Sequence, residues 1–233
     1  MLNNVILIKV KQRLNKLDSS DYDNIESWQI LEAFNKAQVD WCRRNLHGTN
    51  QLREGDEQSN RRIDDMQVML VTVPIDAHQR TNYFETDELP SNYFQWKRIS
   101  AKAKLECCPA RRLTVYLTEE GNLDVLLSDV NKQPNFDWAE TFATIKNNRI
   151  YIYTDGVFEI DSPRLTYYRQ PRKIEISGIV DPYTGDVSTT DVLCQFKDDV
   201  IELFIDESVK ILSGDIESLN QAQRSNQSVE ANN

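Results

Sequence analysis

The sequence predicts an α+β chain: a discontinuous helical bundle built from both chain ends, a mostly antiparallel β-sheet or sandwich module between them, and an extended C-terminal tail. Three observations predict it. Apolar residues recur at three- and four-residue steps near both ends. Period-two alternation and turn dipeptides fill the middle. The last twenty residues lose almost all apolar anchors. At 233 residues the chain has room for one large domain or two small ones. The expected division is 1–74 for the N-terminal helical part, 75–194 for the β-rich insertion, 195–214 for the completing helix and 215–233 for the tail.

Each element has a local warrant. Leu2, Val5, Ile6, Ile8, Val10, Leu14 and Leu17, with Lys9, Lys11, Arg13 and Lys16 interleaved, suit a helix with one buried stripe, ended by Asp18-Ser19-Ser20-Asp21. A second helix is expected over about 23–47. Asp23 and Glu26 stand at cap-box spacing, and Ile25, Trp28, Leu31, Phe34, Trp41 and Cys42 form its apolar stripe. Arg43, Arg44 and His47 suit its C-terminal dipole, and Gly48 suits its C-cap. Residues 49–62 read as loop. IDDMQVMLVTV (63–73) carries both helix and strand signals and stops at Pro74.

In the middle, Ile99, Ala101, Ala103 and Leu105 alternate with polar residues, as do Leu113, Val115 and Leu117. Glu120-Gly121-Asn122 reads as a turn into a strand over Leu123 to Leu127. Asn147-Asn148 is a turn before Arg149 to Tyr153. Asp155-Gly156, between IYIYT and VFEI, is a hairpin signal. Leu165 to Tyr168 and Ile174 to Ile176 add strands, and a loop spans Asp181-Pro182 to Gly185. Near the end, Asp198 or Asp199 caps a helix whose buried face is Val200, Ile201, Phe204, Ile205, Ser208, Val209 and Leu212. Gly214 interrupts it, and DIESLNQAQ resumes as a thinner helix anchored by Ile216 and Leu219.

Composition excludes several classes of function. Hydrophobic residues are 39% and charged residues 27%, the balance of a soluble folded protein. Only 7 glycines are present, so no glycine-rich phosphate cradle exists. A net charge of −10 argues against a non-specific grip on nucleic acid. The Val5 to Ile8 run lacks the flanks of a signal peptide, and no stretch approaches a membrane span. Cys42, Cys107, Cys108 and Cys194 include no CxxC pair, so reduced thiols in a cytoplasmic fold are expected.

Catalytic signals are weak. His47 and His78 are the only histidines, one beside arginines at a helix end and the other in a polar loop. Asp181, Thr184, Asp186 and Asp191 lack the order of a calcium loop and read as turn residues. Trp28 and Trp41 read as core; Trp96 and Trp138 as core or contact residues. YYRQPRK, from Tyr167 to Lys173, interleaves rings and cations in the manner of a single-strand stacking platform; the plainer reading is a charged strand edge. No enzyme, cofactor or metal site is expected. The 213–233 tail is too polar to fold alone, so its order requires a partner surface.

Longer blocks carry a resemblance. VKQRLNKLDSSDYDNIESWQILEAFNKAQVDWCRRNLHG, EGDEQSNRRIDDMQVML, ELPSNYFQWKRISAKAKLECC and FKDDVIELFIDESVKILSGDIES together resemble a virion structural protein of crAss-like phages, and in organisation the head-to-tail (portal) adaptor proteins of podophages. The phrase D-[ED]-x-V-K-[IL]-x-x-x-D-I-E before a polar tail weighs most. The resemblance implies a non-enzymatic ring protein of about twelve copies, seated below the portal in the virion after assembly in the host cytoplasm. Its implied partners are further copies of itself, the portal protein and neighbouring tail rings. The genome passes through the ring without specific binding, and no membrane is involved. Docking on the portal would fall to about Asp215 to Asn233, with Ile216, Leu219, Arg224 and Val229 as contact residues. An acidic channel wall would repel passing DNA. Such adaptors usually lack a large strand insertion, which leaves open a position lower in the tail.

Overall fold

A computed structural model of the chain describes residues 1–15, 25–47 and 60–215. The described residues divide between two compact units, one drawn from Met1–Val68 and Pro171–Asn233, the other Met69–Gln170.

The first unit is helical. Helix α1 (Asn3–Asn15) buries Ile6, Val10 and Leu14. One buried stripe was expected to include Leu2, Val5 and Ile8 as well. All three are exposed: Ile8 is two residues from both Ile6 and Val10 and so points about 200° from each, Val5 also turns away from the buried stripe, and Leu2 precedes the helix. Helix α2 (Ser27–His47) buries Ile30, Leu31, Phe34, Trp41 and Leu46. Its box is set by Glu26 and Gln29 rather than by Asp23, which lies outside the described residues: the Glu26 amide donates to Gln29 Oε1 at 3.0 Å, and the Glu26 carbonyl accepts from Gln29 and Ile30.

Helix α3 (Asn60–Met66) leads into a 3-10 turn over Gln67–Met69. The mixed signal of 63–73 is therefore sequential, a short helix followed by a strand. Helix α5 (Asp198–Asp215) buries all seven residues assigned to its core face. It runs on through Gly214, so that glycine does not break it at 214. A cluster of edge-on rings joins α2 to α5. Phe204 lies 5.7 Å from Phe34, 5.5 Å from Trp41 and 5.1 Å from Phe196, centroid to centroid.

Residues 171–197 belong to this unit, not to the β insertion. Ile174 to Ile176 was expected to be a strand, but only the single bridge Glu175–Val192 forms there. Side chains take the place of a ladder. Asn35 Oδ1 accepts from the Ile174 amide at 2.8 Å, and Asn3 Nδ2 donates to the Glu175 and Val192 carbonyls at 2.8 and 2.9 Å. Long-range amide side chains thus satisfy the backbone of an irregular segment.

The second unit is one eight-stranded sheet: β1 (Leu70–Pro74), β2 (Ala77–Gln79), β3 (Tyr83–Thr86), β4 (Tyr93–Leu105), β5 (Cys108–Leu117), β6 (Glu140–Lys146), β7 (Arg149–Tyr153) and β8 (Glu159–Arg169). Their order is β1-β8-β4-β5-β6-β7-β3-β2. Every pairing is antiparallel except β5 with β6. The edge strands β1 and β2 are joined by Ile75 and Asp76 alone, which span at most about 11 Å. The two edges of the sheet must therefore approach each other, and the sheet curls around one core. Ile99, Ala101, Leu113, Val115, Ala143, Ile150, Ile152, Phe158, Leu165 and Tyr167 meet inside it.

Two local expectations fail here. Leu123 to Leu127 is not a strand but the helix α4 (Leu123–Ser128). Parallel neighbours need a crossover, and α4 lies in the one between β5 and β6. Asp155-Gly156 does not turn a hairpin: β7 pairs with β6 and β3, while β8 lies between β1 and β4. Gly156 takes a positive φ of 78°, and Asp155 Oδ1 accepts from the Val157 and Phe158 amides. The pair is an Asx turn between separated strands. Asn147-Asn148 does turn the β6–β7 hairpin. Their φ values of 50° and 59° are those a two-residue primed turn requires, and asparagine tolerates them.

Candidate interaction surfaces

Ile216, Leu219, Arg224 and Val229 lie outside the described residues, as does Gly48. The rest of the surface can be built from the elements that carry it.

On the helical unit, α1 and α5 are joined by ions. Lys9 pairs with Glu202, and Arg13 with both Glu202 and Asp206. Burial alone would favour the neutral Glu202, but the hydrogen bonds from Lys9 and Arg13 prevail and hold its carboxyl below the usual range. Leu2, just before α1, and Val5 and Ile8 on it are left in solvent, Leu2 at 65% and Ile8 at 55% of full exposure.

On the β unit, the sheet's outer face is rich in cations. Ile99, Ala101 and Ala103 point into the core, so Arg98, Lys102 and Lys104 point out from β4. Arg112 on β5 and Arg164 on β8 share that face. Lys102 stands opposite Arg112 on one side and Asp161 on the other; Lys104 stands opposite Glu159. Arg98 and Arg164 face Thr166 and Ser100, so positive charge predominates. The end of β5 and the β5–β6 crossover add exposed apolar residues: Tyr116 and Leu117 on the strand, and Val125, Leu127, Val130 and Trp138 beyond it. Trp138, read from sequence as core or contact, is exposed at 62%.

The proposed stacking platform is dismantled by burial. Tyr167 lies in the sheet core with its hydroxyl donating to Asn92 Oδ1 at 2.8 Å, and Tyr168 is buried too. Neither ring is free to stack on a base in this conformation. Alternation could not signal this, since β8 buries Leu165, Thr166, Tyr167 and Tyr168 in succession.

Candidate catalytic groups are also placed. His78 Nε2 lies 3.4 Å from Asp87 Oδ1 in an exposed contact on β2. An open cleft of about 690 Å³ lies between β3, β7 and the crossover, and its lining includes Arg80, Tyr83, Pro134, Tyr153 and Asp155 but no histidine or cysteine. Asp155, its carboxylate, is already occupied by backbone amides. Of the acidic loop, Asp181 Oδ1 accepts from the Tyr183 amide as a turn cap, and Asp191 Oδ1 accepts from the Ser177 amide fourteen residues away. Among the described residues no group of three or more His, Cys, Asp or Glu is arranged to hold a metal ion. No described helix is long and apolar enough to cross a membrane.

No protein-family model matches the chain, and no curated protein matches it.

Proposed function

We propose that the chain is a structural component of a phage particle, a head-to-tail connector or adaptor ring protein seated below the portal. It joins capsid to tail and forms part of the DNA exit channel. The observation that carries this reading is the pair of unlike surfaces. The helical unit presents exposed apolar residues at the start of α1, Leu2, Val5 and Ile8; the sheet presents a face on which cations outnumber anions. A closed ring needs two different adhesive faces on each subunit, because its contacts are head-to-tail. The charge balance agrees with that scheme. Residues 69–170 hold 12 Lys+Arg against 14 Asp+Glu, so nearly all of the net −10 falls on the remainder of the chain. An acidic remainder suits a channel wall, and the cationic sheet face then belongs against protein.

About twelve copies form the ring, and the segment beyond Asp215 docks on the portal. Removal of everything after Gly214 tests this. The shortened protein is expected to fold and to lose its attachment to purified portal in co-sedimentation; undiminished attachment overturns the docking role. Electron microscopy of the particle then fixes the ring's level in the tail.

The cationic sheet face favours one second reading, an accessory factor that binds nucleic acid through phosphates. A gel shift at physiological salt separates the two, since a binder of several phosphates shows tight, strongly salt-dependent complexes. The connector shows none.

A further inference from the structure

The β4–β5 hairpin ends in two adjacent cysteines, Cys107 exposed and Cys108 packed at the rim of the sheet core. Glu106 and Cys107 form its connection, and Cys108 opens β5 opposite Leu105. Cys107 is exposed and Cys108 half-buried, and their Sγ atoms lie 3.1 Å apart. The pair has no third metal ligand: no group of three or more His, Cys, Asp or Glu able to hold an ion occurs among the described residues. The chemistry open to two facing thiols without a metal is thiol–disulfide exchange.

We propose that Cys107 and Cys108 are a reversible redox couple that closes to an internal disulfide on reaction with a small-molecule disulfide. The exposed Cys107 thiolate attacks one sulfur of the oxidant and releases one thiol, leaving a mixed disulfide on Cys107. Cys108 Sγ then displaces the second thiol and bonds to Cys107 Sγ. Two electrons pass from the protein pair to the oxidant, and the two thiol protons end on the two released thiols.

The geometry makes this bond labile rather than structural. Adjacent Cα atoms on a trans peptide are about 3.8 Å apart, closer than the roughly 4.4 Å minimum usual for disulfides. Ring closure therefore requires the backbone to move, and a strained bond is readily reduced. The hairpin tip is built to move. Neither Glu106 nor Cys107 has a positive φ, so the connection is not one of the primed turns that match the twist of a hairpin. The register shifts between Ala103 and Leu105, and Pro109 has no amide hydrogen to give the ladder. Farther down, the strand is held by the Arg111 guanidinium, which lies over the Phe136 ring and donates to the Asp137 carbonyl at 2.9 Å. Oxidation therefore rearranges the tip, while Arg111 anchors the strand beyond it.

This inference is independent of the ring reading. Its test takes the full-length reduced protein, incubates it with oxidised glutathione, quenches with acid and maps peptides by mass spectrometry. The wild type is expected to lose about 2 Da in the peptide holding Cys107 and Cys108, reversed by excess reduced glutathione. In Cys108→Ser the glutathione adduct on Cys107 has no resolving thiol and accumulates, at about tenfold or more its level in the wild type. Circular dichroism checks that the variant is folded. An adduct equally abundant in both proteins, a disulfide between two chains, or no reaction at Cys107 overturns the proposal.

Discussion

The two units both form ion pairs, the sheet at Arg149–Glu85 and Lys146–Glu120 for example, but they differ in where charges of one sign gather. In the helical unit, cations and anions face each other across helices: Lys9 and Arg13 against Glu202 and Asp206, Arg44 against Glu207, and Lys197 against Asp64 and Asp65. In the sheet, Arg98, Lys102, Arg112 and Arg164 share one face, and Lys102 stands directly opposite Arg112. Paired charges stabilise a fold. Like charges directly opposite each other cost stability; on this face Lys102 and Arg112 are such a pair, although Lys102 has Asp161 on its other side. The helical unit is thus charge-balanced at its seams, while the sheet is charge-biased on a face.

The largest test of this contrast removes the centre of the helical core. Phe204→Ala should cost about 3–5 kcal/mol. Hydrogen exchange should show protection lost in α1, α2 and α5 but kept in β4 and β8, because Phe204 packs on rings of its own unit only. Equal loss in both units would break the comparison into a single cooperative body. On the sheet side, Asn148→Val places a β-branched residue at a φ of 59°. It should cost about 1–2 kcal/mol by thermal unfolding, with Asn148→Gly close to neutral.

Glu202→Gln tests the paired seam. The folded carboxyl lies below its ordinary range, so its contribution is fully present above the unfolded pKa and fades as pH falls through the folded one. At neutral pH the variant should be about 1 kcal/mol less stable, and the gap should close in acid below the carboxylate range. A gap that persists in acid would assign the loss to packing rather than charge. The smallest effect is expected from Arg112→Glu, which replaces a like pair with an unlike one. A gain of about 0.5 kcal/mol in urea midpoint terms would sharpen the picture of a face held under repulsion. A loss would show that Arg112 is paired in solution.

Much of the fold was legible because it rests on local physics. Helical periodicity gave the core face of α5 residue by residue, and Asn147-Asn148 gave a turn because asparagine accepts the required φ. Asp155-Gly156 misled for the complementary reason: its local chemistry is that of a turn, but which strand follows is decided by partners far away in sequence. The curl of the sheet, the assignment of 171–197 to the helical unit and the helix α4 all depend on such long-range pairing. The cationic face was half visible, since alternation placed Lys102 and Lys104 outward. Register alone brings Arg112 and Arg164 beside them. The expected docking residues Ile216, Leu219, Arg224 and Val229 lie beyond the described residues.

The pairing of β1 with β8 has a consequence for biosynthesis. Thr72 meets Thr166 at 3.0 Å across 94 positions, and Asn3 reaches Val192 across 189. The first strand of the sheet finds its partner only after about a hundred further residues, and α1 finds α5 only after the whole sheet unit has been made. The helical unit's apolar face therefore stays uncovered while the sheet unit is synthesised. The yield of the folded protein should therefore track the supply of holdases more closely than its final stability would indicate.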